Sequence, residues 1–319
     1  MTEGLAVVVP ALNEAEDILE LLEDLARQHP APDEVIVVDA GSTDGTRQLV
    51  ERTAARRPGL RLWHLDGALP GHARNEGIRR CGCELIATVD AGTRVPPDWL
   101  GNLSAPLRTG GGEAVSVGIA VADARSSFER AAGWFTLRAF KPPARRPPLT
   151  SKFRPAGRNG LCFRRASWVA VGGYPEDLRW GEDKVFIQRL RRAGLELIPV
   201  PEATVRWRPR QSLREFFRQY RGYGYGDAVA GVDRQNELIT LGLYAAGAVL
   251  SAFALAGTEL ALLALAVMSI GYLGLFTLAA WRELGAAPAL AWVPVIRITA
   301  DLAKMGGFLA GYGSRLRRR

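Results

Sequence analysis

Two runs near the C-terminal end, Thr240–Ala256 and Leu260–Trp281, carry no charged residue. Each is close to the ~20 residues with which a helix crosses a bilayer. Only Gly257-Thr258-Glu259 separates them, so they are predicted to form a membrane hairpin. Arg218, Arg221 and Arg234 precede the first run and Arg282 follows the second, while the turn has neither Arg nor Lys. The positive-inside tendency then places both flanks in the cytoplasm. The rival reading is a helical hairpin buried in a soluble protein, where two uncharged runs of this length are rare.

This end of the chain differs from what comes before it. Residues 1–237 read as a soluble domain, and 238–319 as a membrane region with its hairpin at about 240–281. The net charge of +8 is carried mostly by Arg and gathers around the apolar end, which points to an anionic membrane surface rather than to nucleic acid. Residues 289–311 put Arg297, Asp301 and Lys304 in one polar stripe on an otherwise apolar helix. That stripe and the tail Arg315-Leu316-Arg317-Arg318-Arg319 suit an amphipathic helix lying in the interface, with a third span as the alternative. Gly307-x-x-x-Gly311 offers a small-residue packing face. Met1–Gly4 lacks a basic start and Leu5–Val9 is too short for a signal-peptide core, so the large domain is expected in the cytoplasm. Cys81, Cys83 and Cys162 show neither a disulfide framework nor zinc spacing and read as plain thiols.

Within 1–237, short apolar runs alternate with helical patterns. Leu5–Val9, Glu34–Val38, Arg61–Leu65 and Leu85–Val89 are predicted strands; 15–28, 43–57 (with Ser42 as cap) and 71–81 are predicted helices. Such alternation gives a mainly parallel sheet with helices on both faces. Ligands bind such sheets beyond the carboxyl ends of the strands, where Asn13, Asp39 and Asp90 stand. Further on, Ala114–Val121 reads as a strand, 126–140 as an aromatic-rich helix and Lys141–Pro148 as a loop. Gly181–Ala193 reads as a helix, with short strands at Leu195–Val200 and Thr204–Trp207. Residues 213–225 interleave Phe216, Phe217, Tyr220, Tyr223 and Tyr225 with Arg214, Arg218 and Arg221, a composition suited to the headgroup level or to the phosphate of a lipid-linked acceptor. Gly222-x-Gly224-x-Gly226 follows no strand and is not a dinucleotide fingerprint.

Four blocks arrive in order: Val7-Val8-Val9-Pro10-Ala11-Leu12-Asn13-Glu14, Val35-Ile36-Val37-Val38-Asp39-Ala40-Gly41-Ser42-Thr43-Asp44-Gly45-Thr46, Ala73-Arg74-Asn75-Glu76-Gly77 and Val89-Asp90-Ala91-Gly92-Thr93. Together they resemble the family 2 glycosyltransferases of GT-A fold, membrane-anchored bacterial type, over about residues 4–230. The resemblance implies an α/β nucleotide-sugar-binding domain with a mixed, mainly parallel sheet, followed by C-terminal transmembrane helices. It implies that Pro10, Asn13, Glu14, Asp39, Arg74, Asn75 and Asp90 hold the donor: Asn13 and Glu14 at base or ribose, Asp39 at the base, and Arg74 and Asn75 at phosphates and sugar. Gly41 and Gly45 permit a sharp turn, and Asp44 serves either there as a turn former or in the site. Asp90 corresponds to the first acid of the metal-binding Asp-x-Asp, and is the one protein ligand expected for Mg or Mn. The third position is Gly92 rather than Asp, which weakens the pattern.

Trp180-Gly181-Glu182-Asp183 resembles the Glu-Asp pair that opens a helix in these enzymes, with Asp183 as general base and Glu182 beside it; helix capping is the alternative. No clean Gln-x-x-Arg-Trp follows, so the expectation is single transfer, not polymerisation. The resemblance implies an inverting transfer from a nucleotide sugar, with UDP as the first expectation, to a lipid or lipid-linked acceptor. The expected setting is the cytoplasmic face of the inner membrane, in cell-envelope biosynthesis, with the chain multi-pass. A nucleotidyltransferase on a similar fold, or a non-catalytic membrane scaffold, are the other readings.

Overall fold

A computed structural model describes residues 4–109, 114–138, 159–285 and 287–317. The predicted loop at Lys141–Pro148 lies outside them. The residues group into two compact units, Met1–Asp123 with Leu137–Arg208, and Ala124–Thr136 with Pro209–Arg319.

The first unit is a mixed sheet between two helical layers. Its strands are β1 (Leu5–Ala11), β2 (Glu34–Asp39), β3 (Leu60–His64), β4 (Leu85–Thr88), β5 (Thr93–Arg94), β6 (Ala114–Ala122), β7 (Leu161–Arg164) and β8 (Glu196–Trp207). They lie in the order β3-β2-β1-β4-β7-β6-β8-β5. The β3-β2-β1-β4 half is parallel, as is β6 on β8; β7 runs antiparallel to both β4 and β6, and β5 to β8. The helices are α1 (Ile18–Ala26), α2 (Thr46–Ala54), α3 (Pro70–Arg80), α4 (Trp99–Thr109), α6 (Arg165–Ala170) and α7 (Glu182–Arg192), with α5 (Ser127–Leu137) entering the second unit.

Successive residues of a strand face opposite sides, and β1 shows the consequence. Val7 and Val9 pack with Ile18, Leu21, Leu25, Val50 and Trp99 on one face. Ala6 and Val8 pack with Ala73, Ile78, Phe186 and Leu190 on the other. A strand covered on both faces is apolar at every position, which is why Leu5–Val9 shows no alternation. Pro10 does not end β1: the strand continues to Ala11, which pairs with Asp39. The two short strands expected at 195–207 are one strand, β8, and α4 fills a stretch where the sequence suggested no element. All three cysteines are buried free thiols, and burial pushes Cys162 up to about 12.

The second unit is helical: α8 (Leu213–Ala230), α9 (Arg234–Leu255), α10 (Glu259–Ser269), a π-turn at Ile270–Gly274, α11 (Leu275–Leu284) and α12 (Ala287–Arg317). Arg234–Leu255 and Glu259–Leu284 are each long and apolar enough to cross a membrane. Ile239, Leu255, Leu260 and Ile270 stand at least two-thirds exposed on them, as lipid-facing side chains would.

Two expectations change here. Phe216 and Tyr220 do not sit outward at a headgroup level. They are buried against Phe128, Ala131, Val293 and Ile296, and Tyr220 donates to Thr136 Oγ1 at 3.1 Å. The stripe on α12 is turned inward, too. Asp301 accepts from Tyr244 (3.1 Å) and Tyr272 (2.5 Å) and pairs with Arg297 at 3.1 Å, while Lys304 meets Glu237 at 2.5 Å and Asp227 at 3.4 Å. Charges among apolar helices are tolerated when they satisfy one another. The exposed face of α12 is the apolar one, with Ile298, Leu302 and Leu309. The packing face expected at Gly307-x-x-x-Gly311 is borne out, and Gly224 lies opposite it. A Cβ on Gly224 would lie 2.1 Å from the Lys304 carbonyl oxygen, and one on Gly307 would lie 2.0 Å from that of Arg221, so α8 and α12 cross with their backbones nearly touching.

Candidate active site

The site is built at the carboxyl ends of β1, β2 and β4, within the first unit. Asn13 adopts φ +56°, in the left-handed region that Asn tolerates better than most residues. Its Oδ1 accepts the Thr43 N–H at 2.9 Å and its own N–H reaches Ser42 Oγ at 2.9 Å. The Glu14 N–H donates to Thr46 Oγ1 at 2.8 Å. Asp44 accepts from the Ala15 N–H (2.9 Å), the Thr46 N–H (3.0 Å) and the Thr46 hydroxyl (2.6 Å). Some desolvation opposes it, yet these bonds hold the Asp44 carboxyl below its ordinary value. The first two blocks are therefore one stitched surface, with Asp44 as its tie. Ser42 does not cap α2: Gly45, at φ +98°, occupies that place, and Ser42 is drawn instead to Asn13.

Asp39 is fully buried. It accepts from the Gly41 N–H (3.3 Å), the Ser42 N–H (3.2 Å) and His64 Nδ1 (2.9 Å), and His64 Nε2 lies 2.9 Å from Asp66 Oδ1. His64 and Asp66 escaped the sequence reading. Their one signal was position, at the carboxyl end of β3, as with Asp39 on β2.

Helix α3 supplies Arg74 and Asn75, both buried. The Arg74 fork is directed at two carboxylates of the chain itself: Nη2 to Asp90 Oδ1 at 2.7 Å and Nη1 to Glu182 Oε1 at 2.6 Å. Burial alone would lower its pKa, but the two acids raise it above the ordinary arginine value. Tyr174 packs under the guanidinium, 5.5 Å from it. Asn75 donates to the Tyr174 carbonyl and to Glu176 Oε1, both at 2.8 Å, and its Oδ1 accepts from Trp168 Nε1 and the Tyr174 N–H. Its amide thus pins residues 168–176. Glu176 is a part of the site's frame that the sequence did not indicate.

Helix α7 begins after an N-cap at Gly181, which has no side chain to offer, and Glu182 and Asp183 stand in its first turn. Glu182 is buried. Desolvation lifts its carboxyl well above the ordinary value, Arg74 opposes the rise and Asp183 adds to it. Asp183 is half-buried, and its Oδ1 accepts the Lys184 N–H at 2.8 Å. Asp90 keeps more than a third of its side chain exposed. The turn after it is held by Thr93 Oγ1, which donates to the Asp90 carbonyl at 2.6 Å. Among the described residues, no group of three or more acidic, His or Cys side chains gathers as a ready-made metal cage. A divalent cation that takes phosphate oxygens and water as well as carboxylate needs no such cage. One half-exposed carboxylate at a strand end fits that mode of binding.

The sequence pattern of Glycosyl transferase family 2 matches residues 6–168, just over half of the chain. The chain belongs to this family. Among its family 2 relatives, the succinoglycan biosynthesis protein ExoA of Rhizobium meliloti is 30% identical over 237 residues, 70% of this chain and 68% of that one. Among solved structures, the mannosyltransferase PcManGT from Pyrobaculum calidifontis, in complex with GDP-Man and Mn2+, aligns with 99% of this chain and 88% of its own. It does so at a TM-score of 0.69 and 21% identity, which shows the shared fold. S. aureus TarS 1-349, in a complex with UDP, aligns at a TM-score of 0.51 and 17% identity, over 99% of this chain and 92% of its own. The chain is thus a glycosyltransferase of family 2 type with a GT-A-like, mixed and mainly parallel sheet. The nucleotidyltransferase reading falls away.

Proposed function

We propose that this glycosyltransferase moves a sugar from a nucleoside-diphosphate sugar, with UDP as the first candidate, to a hydroxyl of a lipid or lipid-linked acceptor. The transfer is single and inverting, at the cytoplasmic face of the inner membrane. The observation that carries the reading is Arg74. One buried guanidinium ties Asp90, at the donor end of β4, to Glu182, at the start of α7. Asp183 follows Glu182, so the group that takes the acceptor's proton is set by the same strut that sets Asp90.

In this reading Asn13, Glu14 and the Asp39 turn receive the nucleoside, with Pro10 at the root of that loop. Asn75 keeps the 168–176 segment in place. Arg74 acts on the diphosphate through Asp90, since its own donors face carboxylates. Asp183 stays ionised beside the helix N-terminus and removes the acceptor proton. Mg or Mn, held by Asp90, would offset charge on the departing diphosphate. GDP-Man and Mn2+ in the mannosyltransferase relative, and UDP in TarS, support such a donor and such a cation.

The two apolar helices support a multi-pass chain, with the functional boundary near residue 237, where the first span begins. A relative named for succinoglycan biosynthesis supports a role in building a glycan, here read as one of the cell envelope. The test is a donor-hydrolysis and transfer screen over nucleotide sugars in purified membranes. One donor consumed well above the rest, with Mg or Mn required, is the expected result. No turnover with any of them, in a chain that is folded, would overturn the reading.

A further inference from the structure

Gly92 stands where the family pattern would place its second metal-binding acid. An ideal Cβ built on Gly92 would lie 2.8 Å from Glu14 Oε2 and 3.6 Å from Glu14 Cδ. Contacts under 3.0 Å at a real Cβ force something to move, and here what would move is the carboxylate end of the Glu14 side chain. The space that the side chain of an aspartate at 92 would enter is therefore held by Glu14, arriving from the loop after β1. Its backbone is anchored there: the Glu14 N–H is fixed on Thr46 Oγ1, and the next N–H, of Ala15, on Asp44.

We propose that Glu14 supplies the second carboxylate of a divalent cation site whose first is Asp90, so that the missing acid is replaced in space rather than in sequence. The longer side chain of Glu, reaching across from β1, does what the shorter Asp would do from the β4 turn. Mg and Mn take such hard oxygen ligands and complete their shells with phosphate oxygens and water. The inference rests on the nucleoside-diphosphate reading of the site and moves Glu14 from ribose to metal. It also explains why a chain can keep Asp90 and lack the second Asp without losing its cation.

The experiment is Mn2+ binding by the full chain in detergent, followed by the loss of free Mn2+ signal in electron paramagnetic resonance, with UDP, GDP, dTDP and ADP in turn. Glu14→Gln keeps the size of the side chain, and Glu14→Ala clears the space. Both are expected to weaken nucleotide-dependent Mn2+ binding at least tenfold, and by a clearly larger factor than they weaken nucleotide binding without metal. Glu14→Ala with Gly92→Asp is expected to regain most of the Mn2+ affinity, because the Cβ at 92 then has room. Wild-type Mn2+ affinity in a Glu14→Gln protein that still binds nucleotide would overturn the inference and leave the donor reading standing. A failure to regain affinity in a folded double variant would overturn the shared position. Failure of the wild-type chain to bind any of the four nucleotides would instead overturn the donor reading itself.

Discussion

Arg74 and Glu182 are 108 residues apart in sequence, and their side chains meet at 2.6 Å, both almost wholly buried. The same guanidinium reaches Asp90 at 2.7 Å. Removing one partner of a buried ion pair costs about 3–5 kcal/mol, because the other is left uncompensated. Arg74→Ala is expected to lower unfolding stability by about that much in chemical denaturation. Arg74→Lys keeps the charge but lacks the fork that serves two carboxylates. It should lose a larger share of transfer rate than of stability; equal loss of both would reduce Arg74 to a packing role.

Asp183→Asn tests the base. Loss of a general base typically costs ~10²–10⁴-fold in rate. Donor binding should change little, since the donor is received by the β1, β2 and β4 ends. Asn keeps an oxygen that can accept the Lys184 N–H, as Asp183 Oδ1 does at 2.8 Å, so the helix should persist in circular dichroism. A stable variant transferring to a hydroxyl acceptor at near wild-type rate would remove Asp183 from the chemistry. The acceptor in this assay is a hydroxyl because a phosphate acceptor is already ionised and needs no base.

The Glu182 carboxyl gives a pH signature. Burial, opposed by Arg74 and helped by Asp183, holds it at about 7 in the folded chain against 4.5 for an ordinary glutamate. Between those values the native chain retains a proton that the unfolded chain has released. This group's contribution to stability is therefore full below pH 4.5 and is lost as the pH rises through about 7. Glu182→Gln should flatten that slope when stability is measured from pH 4.5 to 8; an unchanged slope would show that Glu182 titrates normally.

Asp39→Ala should act twice. It leaves the half-buried Gly41 and Ser42 N–H groups and His64 Nδ1 without this acceptor, a loss of about 1 kcal/mol since water can reach them. It should also weaken nucleotide binding, roughly tenfold for each 1.4 kcal/mol lost. Unaltered nucleotide affinity in a folded variant would take Asp39 out of the donor site.

Topology is checked with reporters. Fusions at the N-terminus and after Arg319 should be cytoplasmic, and one inserted at Gly257–Glu259 external. An external C-terminus would mean that α12 spans the membrane and would sink the two-span arrangement.

Much of this was legible along the chain. Strand-and-helix alternation through β1–β4 follows from local periodicity, and the apolar spans follow from composition over about twenty residues. The four blocks name the family by their order; three lie where β1, β2 and β4 end and one lies within α3, so the strand-end placement of Asn13, Asp39 and Asp90 was legible from position. Partners were not legible, because a side chain's partner depends on what folds back beside it. Arg74 looked like a phosphate ligand until α7 brought Glu182 to its other face. The α12 stripe looked like a water-facing edge until Asp227, Glu237, Tyr244 and Tyr272 were seen around it. Gly92 looked like a lost ligand, and only the fold puts the Glu14 carboxylate against it. Sequence determines which elements form, since that is set by neighbours a few residues away. Tertiary structure decides which charges meet, since contacts across the sheet and between helices join residues tens to a hundred positions apart.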